Sequence, residues 1–362
     1  MANRAITFET ASRPEIVALS ERDLPDVAGF VGDQSGRERA SVETHLRWFL
    51  LENPARQPQH PLGFGLFSAG ELAGCILCCP QMFRLQASPI LFMGSSSFYV
   101  DESHRGWGGR IFLNYCRLGN LGPLFGTSAN SLAAGLWKAA GALPIPHSDG
   151  ELFGIVHWPP VAEEVVHRWS PNPLLSRLAR SPASRMAGWF RHLTVDGAAS
   201  GDLQLLTAAQ QVADLVARDS SEKLTADRGL AYIRWRYFSG RDASTAAFAF
   251  RSRRPDQDIL VTVNQRSRGY RGQINTLNVL DIYPEVSPGE HVRIAAALLD
   301  RYGKMVDALV LRNQDPDQEA ALTQRGFHKR VFDAPIGWLL DRSRLLPKAC
   351  SYFVAADGDG LI

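Results

Sequence analysis

The chain has 362 residues, 45% of them hydrophobic and 21% charged, an ordinary globular composition with enough length for two cores. Thirty-nine basic residues against 37 acidic ones leave a formal net charge of +2, too weak a field to argue for nucleic acid or a bilayer as partner. No apolar run reaches the ~18 residues that a membrane span needs, and the stretch from Met1 to Glu15 lacks the apolar core of a secretory signal, so a cytoplasmic protein is expected.

Pro14–Leu19 reads as a strand, and a helix runs through Asp26–Val31. Val42–Leu51 is helical by spacing, with Val42, Leu46, Phe49 and Leu50 on one face, and Asn53-Pro54 stops it. Gly63–Phe67 and Leu72–Cys79 form a hairpin around Ser68-Ala69-Gly70-Glu71, whose glycine supplies the positive φ of a tight turn. A long strand, Ile90–Val100, comes next. It is followed by a helix at Gly108–Leu118, a strand at Pro123–Thr127, a helix at Ser131–Ala140 and a strand around Leu152–Val156. The prolines from Pro159 to Pro182, with Trp158, Trp169 and Trp189 among them, mark a helical connector.

The order then restarts. Leu203–Leu206 is a strand, Ala208–Ala217 and Arg228–Phe238 are helices, and Ala246–Phe250 with Asp258–Val263 make a hairpin. Gly272–Leu280, Ala308–Arg312 and Gly326–Phe332 are strands, separated by helices at Glu290–Tyr302 and Glu319–Gln324. Arg47-Trp48-Phe49 recurs as Arg234-Trp235-Arg236, 187 positions on, at the end of the second helix of each half. One element order at nearly one offset implies an internal duplication. The expected domains are 1–157, a connector at 158–200, and 201–362.

Cys75 and Cys78 form a C-x-x-C, but no second Cys or His pair stands at zinc spacing and the flanks are apolar. Buried thiols, without a metal, are expected for Cys75, Cys78, Cys79, Cys116 and Cys350. Arg251, Arg253 and Arg254, and then Arg266, Arg268 and Arg271, cluster locally. They read as solvated faces; the sharper alternative is a surface for an anionic substrate or partner.

The segment carrying most chemistry is Val100-Asp101-Glu102-Ser103-His104-Arg105-Gly106-Trp107-Gly108-Gly109-Arg110. A strand ends, glycines follow and a helix begins. Glycine lets the backbone approach an anion closely, and a helix start offers amide donors and partial positive charge. That is a cradle for a diphosphate, to which Arg105 and Arg110 add charge. No G-x-x-x-x-G-K-[ST] occurs anywhere, and the turn follows a hairpin rather than opening a βαβ unit, which argues against a Walker or dinucleotide loop.

The turn resembles motif A of the GNAT superfamily, [RQ]-x-x-G-x-[GA] after the fourth strand. Arg105-Gly106-Trp107-Gly108 matches, while Arg110 stands at the last position. Asn130, then Trp137-Lys138-Ala139-Ala140-Gly141-Ala142, is similar to the family's next region, with Trp137 where a tyrosine is common and Ala142 in place of Phe.

The resemblance implies an α+β fold of two tandem GNAT-like domains, each a mixed, mostly antiparallel sheet flanked by helices in three layers. It implies acetyl-CoA or another acyl-CoA as co-substrate, held by Phe98, Tyr99, Val100, Arg105, Gly106, Trp107, Gly108, Gly109, Arg110, Asn130 and Trp137. A backbone N–H of Phe98 or Tyr99 would serve the thioester carbonyl. Candidates for the base are Glu102, His104, His147, Asp149 and Glu151, and Tyr115 is a candidate acid for the departing thiolate, since an indole cannot readily take that role.

The implied acceptor is an amino sugar or another small-molecule amine, because chains of this build loosely resemble exopolysaccharide-associated proteins. The alternatives are a Fem-type aminoacyl transferase, a group that generally lacks the Arg-x-x-Gly turn, and a non-catalytic acyl-CoA-binding protein. The second half has Asp281-Ile282-Tyr283-Pro284 where the first has its glycine turn, so it is not expected to bind CoA.

Overall fold

A computed structural model describes residues 13–85, 88–169, 202–217, 224–239, 244–253, 258–269, 272–312 and 315–342. Arg254, Arg271, Cys350 and residues 170–200 of the expected connector lie outside them. The chain is mixed α+β, with two mixed, mostly antiparallel sheets flanked by helices. It divides into two compact units, one made of 1–81, 91–124 and 341–343, the other of 82–90, 125–340 and 344–362.

The first unit opens with β1 (Glu15–Leu19), α1 (Leu24–Ser35) and α2 (Arg39–Leu46). In α1, Leu24, Val27, Ala28 and Val31 are buried at helical spacing, and Gly36 ends the helix in the left-handed conformation at φ 67°. The helix expected through Leu51 is instead α2 followed by a π-helical turn, Arg47–Leu51. The reason is packing: Trp48, Phe49 and Leu50 are consecutive and all buried, and a widened turn turns three neighbours inward where an α-helix could not.

β2 (Gly63–Ser68) pairs with β1 and with β3 (Glu71–Leu85), both antiparallel. Ala69 at φ 52° and Gly70 at φ 87° form the hairpin turn. β3 is buried on both faces from Ala73 to Gln81, which explains its small and sulfur-bearing residues. Cys75, Cys78, Cys79 and Cys116 are free and buried, and burial pushes the Cys75 thiol up to about 12. β4 (Ser88–Val100) and α3 (Gly108–Cys116) complete the unit.

The second unit contains β5 (Leu124–Gly126, from Phe125), α4 (Ser131–Ala139), β6 (Leu143–Pro144), β7 (Gly150–Ile155) and α5 (Trp158–Trp169). It continues with β8 (Leu203–Leu206), α6 (Ala209–Val216), β9 (Thr225–Ala226), α7 (Leu230–Phe238), β10 (Thr245–Arg251), β11 (Asp258–Arg268) and β12 (Ile274–Tyr283). Last come α8 (Pro288–Tyr302), β13 (Ala308–Arg312), α9 (Pro316–Gln324), β14 (His328–Val331) and β15 (Trp338–Leu340).

Its seven-stranded sheet runs β14-β7-β13-β12-β11-β10-β8, with β12 and β13 parallel. One face packs Phe248, Val261, Leu277 and Leu309 with Ile294 and Leu298 of α8. On β12, Asp281 is buried in an ion pair with Arg228 (2.7 and 3.2 Å) and accepts from the Tyr237 hydroxyl (3.0 Å).

Residues 150–155 precede the connector in sequence, yet β7 lies between β13 and β14. Gly154 permits this, because a Cβ there would stand 2.6 Å from the Phe327 ring. β15, which no sequence pattern marked, pairs with β6 through Trp338 and Pro144.

Candidate functional site

The turn after β4 lies in the first unit, and three features shape it. The first is Ser97, a non-glycine residue at φ 47° inside β4. A left-handed residue in a strand breaks the ladder locally and re-aims the following backbone. The Ser97 carbonyl accepts from the Cys75 thiol at 3.5 Å.

The second is the path out of the strand. The chain does not enter α3 directly as the sequence suggested, but winds through a 3-10 helix, Glu102–Trp107. The His104 N–H donates to the Asp101 carbonyl at 2.9 Å and the Gly108 N–H to Arg105. Gly74 on β3 sets the depth of this corner, since a Cβ there would meet Ile111 Cδ1 at 3.1 Å, the Tyr99 carbonyl at 3.3 Å and Val100 Cα at 3.4 Å.

The third is the character of the turn glycines. A Cβ on Gly106 would meet nothing within 4 Å, and one on Gly108 would make only ordinary contact with Val100 at 3.8 Å and Phe98 at 3.9 Å. Neither has a positive φ. Packing and backbone conformation thus do not demand glycine at either place.

The side chains around the turn are polar and accessible. Arg105 pairs with Glu102 at 3.5 Å, both exposed. Arg110 stacks over Trp107 at 4.6 Å. Asp101 accepts from the Ser103 hydroxyl at 2.8 Å and lies 3.8 Å from His104 Nδ1; the Ser103 and Glu102 hydrogen bonds hold its carboxyl below the usual range. Ser103 Oγ and His104 Nδ1 are 2.8 Å apart. Phe98, Tyr99 and Val100 are part-buried at the strand end. Tyr115 is fully buried, its hydroxyl donates to the Met93 carbonyl, and burial pushes its ionisation well up.

The remaining candidates lie in the second unit. Asn130 caps α4 by accepting from the Ala133 N–H at 2.9 Å, Gly141 leaves that helix at φ 85°, and Trp137 is buried between them. His147 is exposed at φ 59° and lines a cavity of about 180 Å³ with Asp149, Glu319 and Lys329. Glu151 is buried and bound by three arginines, Arg268, Arg312 and Arg330.

No family model matches the chain, and no curated protein matches it in sequence. Solved structures do match. A GCN5-related N-acetyltransferase from Anabaena variabilis aligns at TM-score 0.53 and 11% identity, over 90% of this chain and 72% of that one. A putative acetyltransferase from Pyrococcus horikoshii aligns at TM-score 0.53 and 10% identity, over 98% and 96%. N-myristoyltransferase of Saccharomyces cerevisiae, solved with bound myristoyl-CoA, aligns at TM-score 0.56 and 10% identity, over 91% and 78%.

This chain has the GNAT fold.

Two residues of this GNAT fold were not singled out in the sequence, and nothing local announces the left-handed φ of Ser97. Asp101 could have been found from its i,i+3 spacing to His104. Gly74 could have been found as a glycine inside an apolar strand, a sign of close backbone approach.

Proposed function

We propose that the chain transfers an acyl group directly from acyl-CoA to an amine, gripping the CoA diphosphate on the turn Arg105–Arg110. The observation that carries this reading is the pair Gly106 and Gly108, where the fold itself does not require glycine. What does require it is an anion approaching the backbone, and a turn ready to rewind. Glycine is the poorest non-proline helix former, so the 3-10 turn gives up its internal hydrogen bonds at low cost and presents its amides to phosphate oxygens. Arg105 and Arg110 add positive charge to that grip, and the GNAT-fold neighbours named as acetyltransferases or N-myristoyltransferase support the same class of co-substrate.

The reaction joins the amine nitrogen to the thioester carbon, passes through a tetrahedral oxyanion and breaks the carbon–sulfur bond. The backbone N–H of Phe98, just beyond Ser97, serves the oxyanion, while that of Tyr99 is engaged with the Cys75 sulfur. His104, whose Nδ1 is held at 2.8 Å by the Ser103 hydroxyl that in turn donates to Asp101, takes the proton from the attacking amine and returns it to the leaving sulfur. The Tyr115 hydroxyl is engaged with Met93, so in this reading it braces β4. Asn130, Trp137, His147 and Asp149 lie in the second unit, and no step of this reading is assigned to them. The acceptor is a small amine such as an amino sugar.

The test is a melting series with acetyl-CoA and longer acyl-CoAs, then thiol release across an amine panel. A ligand at 100 times its Kd adds about 2.7 kcal/mol of stability. His104→Ala should lower kcat/KM by about 10²–10⁴ with the acetyl-CoA response retained, and Asp101→Asn by less. No response to any acyl-CoA rules the reading out in favour of a Fem-type transferase. A response without turnover leaves an acyl-CoA-binding protein.

A further inference from the structure

We infer that the second unit carries a binding site for a multiply charged oxyanion, a phosphate, sulfate or phosphoryl group, at Arg268 and Arg330 on the seven-stranded sheet.

The register builds the site. Arg312 and Arg330 both stand opposite Glu151, Asn278 stands beside Val310 on the parallel β13, and Asn264 stands opposite Asn278. Partners in a ladder share a face, so Glu151, Arg312, Asn278 and Asn264 lie together. The opposite face holds the apolar core with α8.

Three guanidinium groups converge on one buried carboxylate. Arg330 reaches Glu151 Oε1 at 3.2 Å, while Arg312 and Arg268 reach Oε2 at 3.0 and 3.5 Å. Arg268 turns another nitrogen to Asn278 Oδ1 at 2.6 Å. Among the described residues, Glu151 is the acid paired with both Arg268 and Arg330, so those two alone place two positive charges on one negative. Burial is the main cause that lowers the Arg268 pKa; the Glu151 carboxylate opposes it, and the neighbouring charges of Arg312 and Arg330 add to the lowering. A dianion relieves that repulsion, and Arg330, half exposed, gives access from solvent.

A second observation comes from the same face. Asn264 is fully buried, directly across from the Asn278 that Arg268 holds, and neither its amide nitrogen nor its oxygen has a hydrogen-bond partner. A buried amide N–H left unpaired is costly, and an oxyanion oxygen would accept from it. The Arg266 and Arg268 run, whose alternative reading was an anion surface, ends here.

This inference is independent of the acyl-CoA reading, whose turn lies in the other unit. The full chain is titrated calorimetrically at constant ionic strength with inorganic phosphate, sulfate and acetate. Phosphate and sulfate should bind saturably and acetate should not. Arg330→Gln and Arg268→Gln should each weaken phosphate by at least about tenfold, and Arg330→Gln should keep the parental melting point. Acetyl-CoA is titrated in parallel and should bind Arg330→Gln as it binds the parent. Absence of saturable phosphate binding, equal binding by Arg330→Gln, or loss of the acetyl-CoA response in that variant overturns the site. Phosphate binding without acetyl-CoA binding in the parent upholds it while removing the acyl-CoA reading.

Discussion

Replacing Gly106 and Gly108 by alanine, singly and together, separates the stability of the turn from its grip. A Cβ at Gly106 has open space, and one at Gly108 has neighbours no closer than 3.8 Å. Both residues are in helical conformation, where alanine is favoured over glycine by up to about 1 kcal/mol. Each variant should therefore be as stable as the parent or more so, with the double variant gaining up to about 2 kcal/mol in denaturant unfolding. Acyl-CoA affinity should move the other way. Alanine holds the turn in its wound form and puts a methyl group against the phosphate, so at least one charge-assisted N–H bond is lost. At about 1.5–3 kcal/mol each, that raises Kd by roughly 10- to 100-fold. Calorimetric titration with acetyl-CoA reads the second effect and urea unfolding the first. Gly74→Val is the contrast: its Cβ would press on the Tyr99 carbonyl and Val100 Cα, so it should lose both stability and binding. A double alanine variant that binds acetyl-CoA with parental affinity would falsify the cradle.

Two further predictions concern the second unit. Asp281→Ala leaves the Arg228 guanidinium buried without its carboxylate, and should cost about 3–5 kcal/mol in urea unfolding; Arg228→Met combined with Asp281→Leu should cost less than Asp281→Ala alone. His291 on α8 is buried, and burial lowers its pKa to about 4, partly countered by Asp315. Its neutral form is favoured in the folded state, so its contribution is complete above the unfolded pKa of about 6.5 and is lost as pH falls toward 4, by about 3 kcal/mol at most. Unfolding free energy measured from pH 7 to pH 4 should therefore fall less steeply in His291→Gln than in the parent.

Where the physics is local, the sequence was sufficient. The β2–β3 hairpin was legible from Gly70, and α4 from Asn130 at one end and Gly141 at the other, because a cap or a tight turn depends on residues a few positions apart. The strand–turn–helix at Arg105–Arg110 was legible for the same reason, although the 3-10 winding of Glu102–Trp107 was not: hydrogen bonds to the third and the fourth residue back differ too little for composition to choose between them. What only the tertiary structure decided are the relations between distant segments. Glu151 read as a candidate base or a polar turn residue; that it is an arginine-bound carboxylate was decided when β7 settled between β13 and β14, which brought Arg312 and Arg330 opposite it and Arg268 within reach. The left-handed backbone at Ser97 and the pairing of β15 with β6 are of the same kind. Strand partners are chosen by the packing of whole faces, a long-range free energy that no window of neighbouring residues contains.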